Sequence, residues 1–197
     1  MLFSDAVFAI AITLMIIEVK PPHLEHNITF TNALKALLEK VPVFLGTIIS
    51  FYMIAIYWYK HHDLMKHVTG YNAKFIWLNF SLLLSVAFIP FSTAFVFENL
   101  LAASPLPILF YNLNHIITCL LNYKICTYAL NPINQLATEK PVQALLKMKH
   151  ETIYWIAVFV IISVVSFFNV NLAPIGYALF GFQDLVLKGF EKKSSKK

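Results

Sequence analysis

The chain contains no arginine; all 15 of its basic residues are lysine. Charge of either sign is scarce, at 13% of residues, about half of the roughly 25% usual in soluble domains. The lysines lie between apolar runs and in the C-terminal tail, so the formal charge of +5 does not form a nucleic-acid-binding stripe. Cysteine is nearly absent as well. Cys119 and Cys126 stand seven residues apart in one apolar run, about 10 Å along a helix axis and too far for a disulfide. This excludes a disulfide scaffold and leaves two ordinary buried thiols. What the chain has in abundance is apolar side chains: 59% of its 197 residues are hydrophobic, with a mean hydropathy of +0.70. A water-soluble domain of this size cannot hide so much apolar surface. The composition excludes an ordinary soluble enzyme and a disordered tail, and is that of an all-α, polytopic membrane protein.

Six apolar stretches, at about 2–19, 41–59, 75–97, 106–130, 153–168 and 172–187, are separated by charged, proline or asparagine punctuation. They predict six transmembrane helices in one domain, 1–187, and a basic tail, 188–197. The first stretch resembles a signal peptide only superficially. It lacks a basic leading region, and Pro21-Pro22 stands where small residues would mark cleavage, so a retained helix is expected. Asn169, Asn171 and Pro174 mark a tight turn between the last two spans, and Pro90 is expected to kink the third. With the N-terminus inside, 11 lysines fall in inner segments and only Lys20, Lys35 and Lys40 in outer ones. That bias puts both termini in the cytoplasm. In the outer loop 23–40, Ala33, Leu34, Leu37 and Leu38 recur at helical spacing, which predicts a short amphipathic helix at the interface or against the bundle.

The first helix differs from the others. Phe3, Ile10, Leu14 and Ile17 recur at intervals of seven, four and three and share one face. Ser4, Ala6, Ala9 and Thr13 are small residues around it that permit close helix approach. Asp5, at the start of a membrane helix, must be paired or hydrated; as an interfacial residue it would also suit the positive end of the helix dipole. With the N-terminus inside, the second span ends at the same level as the first begins. Ser4, Asp5, Trp58, His61, His62, Trp77 and Asn79 can therefore meet near the cytoplasmic face as a structural polar network.

Phe3-Ser4-Asp5, followed by Ala-Val-Phe-Ala-Ile-Ala-Ile-Thr-Leu, resembles the first-helix signature of the endosomal–lysosomal potassium channel family, transmembrane protein 175. Trp58-Tyr59-Lys60-His61-His62 is similar to that family's second-helix end, and Asn79 through Pro90-Phe91-Ser92-Thr93 to its third helix. The resemblance covers the first three spans well and the rest mainly by span count. It implies a potassium channel of the prokaryotic single-repeat kind, assembled as a homotetramer in the plasma membrane, with no cofactor and potassium as the permeant ion. In such a channel the first helix lines the pore. Ile10, Leu14 and Ile17 match its apolar constriction, and Thr13 matches a position tied to ion selectivity. The chain has no Thr-Val-Gly-Tyr-Gly run, so selectivity would rest on unequal dehydration and would be modest. The family signature also carries an arginine four residues before the phenylalanine, whereas this sequence begins two residues before Phe3. Either the sequence is truncated or the arginine contact is missing; in the latter case Asp5 must use His61, His62 or another donor.

Other groupings point less far. His61, His62, Asp63 and His67 could suggest zinc, but adjacent helical residues diverge by about 100°, which suits one metal poorly. His115, beside Asn112 and Asn114, reads as a hydrogen-bonded bundle histidine, and Glu98 and Asp184 as interfacial carboxylates. Ser4, Asp5 and His61 superficially suggest a hydrolytic triad, but no nucleophile elbow accompanies them. A secondary transporter, the main alternative to a channel, would usually carry inverted repeats, and no repeat is visible in the sequence.

Overall fold

The computed structural model describes residues 2–24, 26–99, 104–137 and 142–183. Among these residues seven α-helices follow one another: α1 Leu2–Ile17, α2 Phe30–Leu38, α3 Val41–Met65, α4 Ala73–Ala87, α5 Ile89–Glu98, α6 Leu106–Ala129 and α7 Val142–Phe168. A 3₁₀ segment, Ala173–Phe182, folds back against α7. Among the described residues there is no strand, only an isolated bridge between Val68 and Ala137.

Among the described residues, three stretches are long and apolar enough to cross a bilayer: Phe30–Met65, Ala73–Glu98 and Lys147–Phe168. Helix α1 is apolar but has 16 residues, about 24 Å at 1.5 Å per residue, against a hydrocarbon core of roughly 30 Å. The apolar stretch at 75–97 is carried by two helices that meet at Phe88. Pro90 lies in the first turn of α5, where its missing N–H costs no helical bond. Phe88 N–H still bonds Leu84 O at 3.2 Å, and Ser92 N–H bonds Phe88 O at 3.0 Å, so helical hydrogen bonds continue across the junction.

Two stretches differ from the α-helical expectation. Helix α7, which carries the fifth stretch, begins at Val142, well before 153, and its Glu151 pairs with Lys60 of α3 at 2.8 Å. The sixth stretch is a 3₁₀ segment as far as Phe182; residues 184–187 of the expected span, Asp184 and the tail 188–197 lie outside the described residues, as does Lys140. Asn169 starts the turn, accepting from the backbone N–H groups of Asn171 and Leu172 through its side chain.

The bundle closes around α6, which packs against α7, α4 and α5. Phe8, Ile54, Leu82, Val86, Ile125 and Phe159 form its apolar centre. Several polar side chains on the inner helix faces bond one another, as a low-dielectric interior favours. Thr93 donates to Ser50 at 2.9 Å, and Ser50 shares a bond with Tyr111 at 3.1 Å. Asn112 donates to Ser163 at 3.0 Å and accepts from Tyr177 at 2.8 Å. Helix α2 stands apart: its N-terminus is capped by Thr29, and none of its residues is buried.

Candidate functional site

Helix α1 divides cleanly into two faces. Ser4, Phe8, Ala11 and Met15 are buried against α3 and α4. At 100° per residue, these four fall within about a sixth of a turn, and the exposed residues lie opposite. Ile10 is 57% exposed, Leu14 38% and Ile17 69%, with Phe3 and Thr13 on the same outward side. The apolar stripe thus lies on the face of α1 that its own bundle leaves uncovered, which also carries Ala6, Ala9 and Ile16. The Thr13 hydroxyl donates back to Ile10 O at 2.9 Å, so its oxygen keeps free lone pairs on the uncovered side.

At the start of α1 the polar residues meet as two strands of one network. Trp58 Nε1–H donates to Asp5 Oδ1 at 2.9 Å. His62 Nδ1 lies 3.6 Å from the same oxygen, an ion-pair distance rather than a hydrogen bond, and its ring lies against Trp58 with centroids 5.1 Å apart. The second strand runs through Asn79, whose amide donates to Ser4 Oγ at 3.0 Å. His61 Nε2 shares a 2.8 Å hydrogen bond with Asn79 Oδ1. Three helices, α1, α3 and α4, are tied together here. His61 is fully buried whereas Asp5 and His62 are about a third exposed, which fits a carboxylate that keeps contact with water.

Trp77 does not join the network. It is 70% exposed and touches Phe80 edge-on at 6.0 Å. His61 and His62 turn to different partners, Asn79 and Asp5, and do not converge on a metal. The triad geometry is not assembled either: Ser4 is bonded to Asn79, and His61 reaches Ser4 only through that amide.

Two features escape the sequence. Lys60, paired with Glu151, also lies over the Trp155 ring at 4.7 Å, and Trp155 Nε1–H donates to Gln183 at 2.7 Å. This chain of contacts fastens the C-terminal end of α3 to α7 and the final segment. Deeper, Tyr57 Oη lies 3.1 Å from His115 Nδ1 and 3.3 Å from Cys119 Sγ. His115 stacks on Phe159 at 5.1 Å, the bundle histidine that Asn112 and Asn114 announce. The i, i+4 spacing of His115 and Cys119 was the available signal that both face one point; their partner on α3 leaves no trace in sequence.

Residues 1–90 match the model of the endosomal/lysosomal potassium channel TMEM175 family. A potassium channel of Chamaesiphon minutus is 41% identical over 100 residues, 50% of this chain and 48% of the relative. One of Streptomyces collinus is 37% identical over 98 residues, 50% of this chain and 46% of the relative. The chain thus spans about half the length of these curated relatives in the matched region. Across the whole fold, the crystal structure of a lysosomal potassium-selective channel TMEM175 homologue from Chamaesiphon minutus superposes with a TM-score of 0.75. That match covers 94% of each chain at 26% identity. A variant of the potassium channel MtTMEM175 shares the fold at a TM-score of 0.62 and 18% identity, over 99% of this chain and 92% of the other. The family resemblance carried by Phe3-Ser4-Asp5 is shown by these matches, and the relatives are named as potassium channels, not enzymes.

Proposed function

We propose that this chain is a subunit of a potassium channel of the TMEM175 kind, in which four copies surround one pore lined by α1. The observation that carries the reading is the uncovered face of α1, on which Ile10, Leu14 and Ile17 form one apolar stripe away from the face packed into the bundle. It lies within the segment that matches the channel family. In this reading α1, α3, the α4–α5 pair, α6, α7 and the last segment make six spans, and the protein resides in the plasma membrane with both ends in the cytoplasm.

The mechanism follows from dehydration. Ile10, Leu14 and Ile17 from four subunits form rings with no oxygen to replace an ion's water. Potassium is larger than sodium and holds its water less tightly, so a narrow apolar ring that strips part of the shell penalises sodium more. Selectivity then comes from a difference of costs and is modest. Thr13, whose hydroxyl hydrogen is occupied by Ile10 O, presents lone pairs that return part of the lost coordination. A small rotation of α1 dewets or widens the ring, and the Asp5, Trp58 and His62 contacts at its inner end set its rotational position.

The test is cation flux from liposomes holding purified protein, under equal potassium and sodium gradients. Potassium flux should exceed sodium flux severalfold. In Ile10→Asn the ring gains amide oxygens, and the ratio should fall toward one while total flux is kept or rises. Absence of flux for both ions in the unmodified protein would remove the channel reading. An unchanged ratio in Ile10→Asn would move the constriction away from Ile10.

A further inference from the structure

The end of α1 gathers negative charge where a helix favours a cation. The C-terminal end of a helix is the negative end of its dipole, yet α1 has no basic residue in its last turn, and Glu18 follows Ile17 directly. Glu18 keeps helical register, since its N–H bonds Leu14 O at 3.3 Å. It therefore stands one turn beyond Leu14 and about 40° from it around the axis, on the flank of the uncovered face. Its side chain is partly exposed. Among the described residues its carboxylate forms no ion pair and no hydrogen bond, and Lys20 does not reach it. The backbone adds to this charge. Pro21 and Pro22 stand four residues after Ile17 and Glu18 and have no N–H, so the carbonyls of Ile17 and Glu18 receive no continuing helical bond.

We propose that Glu18 is the cation-attracting group at the outer mouth of the pore: four copies, with the helix-end carbonyls beside them, concentrate potassium just outside the Ile17 ring and so set conductance. The proposal rests on the reading of α1 as pore lining. The start of α1 is joined to Trp58 and Asn79, so Glu18 lies at the opposite end, beyond the last apolar ring. The rings of Ile10, Leu14 and Ile17 strip water from an ion and give nothing back. A fixed negative charge at their entrance offsets part of that barrier by raising the local cation concentration. Potassium and sodium feel this long-range attraction alike. Glu18 therefore sets how fast cations arrive and leaves the choice between them to the constriction.

Single-channel currents in planar bilayers test the assignment, because current per channel does not depend on protein yield. They are recorded at about 10 mM salt, where charge acts over about 30 Å, and at about 1 M, where it acts over about 3 Å. Glu18→Gln should pass severalfold less potassium current than the unmodified chain at low salt and the same current at high salt, with its potassium-to-sodium ratio unchanged. Glu18→Cys should behave in the same way. Reacting it with an anionic thiol reagent should return the low-salt current, and a cationic reagent should lower it further. The adducts form on assembled channels and are confirmed by mass, so recovery reports charge and not folding. Cys119 and Cys126 are buried, which makes the unmodified chain the control. Equal low-salt currents in Glu18→Gln would overturn the proposal. So would a deficit that persists at high salt and that the anionic reagent does not repair, since that is the mark of a structural role. A collapsed ion ratio would put Glu18 in the constriction itself, and a thiol at position 18 that fails to react would place it away from the pore water; either overturns the assignment. Current without charge dependence rejects this proposal alone, whereas no current from the unmodified chain removes the channel reading and this proposal with it.

Discussion

Trp77 and Asn79 stand two residues apart on α4, and so about 200° apart around its axis. Since Asn79 turns inward to His61 and Ser4, Trp77 has to turn outward, and helix phase alone would have separated it from the inner cluster. The same rule divides His61 from His62, whose rings take Asn79 and Asp5. The other members of the cluster were legible because a carboxylate at a membrane helix end needs donors, and the adjoining helix ends carried the nearest ones. Among those donors Trp58 makes the shortest contact with Asp5, 2.9 Å. Replacing it in Trp58→Phe keeps an aromatic ring against His62 but removes the indole N–H. Hydrogen bonds to charged groups contribute about 1.5–3 kcal/mol, so the variant should unfold at a measurably lower temperature in mild detergent. An unchanged midpoint would mean that water alone satisfies Asp5.

At the scale of elements, hydropathy read the apolar stretches but not where charged helix could extend them. Helix α7 runs back to Val142 and pairs Glu151 with Lys60, and no pattern in either segment announces a partner 91 residues away. The last segment is apolar throughout, yet Pro174 in its first turn and Gly176 and Gly181 further along weaken α-helix formation; it takes the tighter 3₁₀ form. Gly46 shows what sequence cannot convey about packing. It lies where α3 meets α5, and a Cβ added there would fall 2.2 Å from the Phe97 ring. Such an atom forces the ring or the helix to move. Overpacking of this kind costs about 1–3 kcal/mol, and Gly46→Ala should lose stability by that amount in denaturant titration. Adding Phe97→Leu should restore part of it; a stable single variant would show that the ring swings aside freely.

For the molecule as a whole, the lysine bias argues orientation from charge, and the contacts between connections add a second argument. Thr69 and Gly70, after α3, donate to Leu136 O at 2.8 and 3.1 Å, and Asn72 donates to Tyr128 Oη at 3.0 Å. The connections after α3 and α6 therefore lie at one end of the bundle. The start of α1 lies at that same end, because Ser4 and Asp5 meet Asn79 and Trp58 there. Lys66 and Lys74 belong to this end, whereas Lys35 sits on α2, which precedes α3 at the other. Positive charge is retained on the cytoplasmic side, so the joined end should face inward. In intact cells, a membrane-impermeant thiol reagent should label Lys35→Cys at once, and Lys66→Cys only after the membrane is opened. Both positions are exposed and the native thiols are buried, so labelling reports sidedness rather than folding. The reverse pattern would invert the molecule in its membrane, and would put Asp5 and its partners at the outer mouth of the pore.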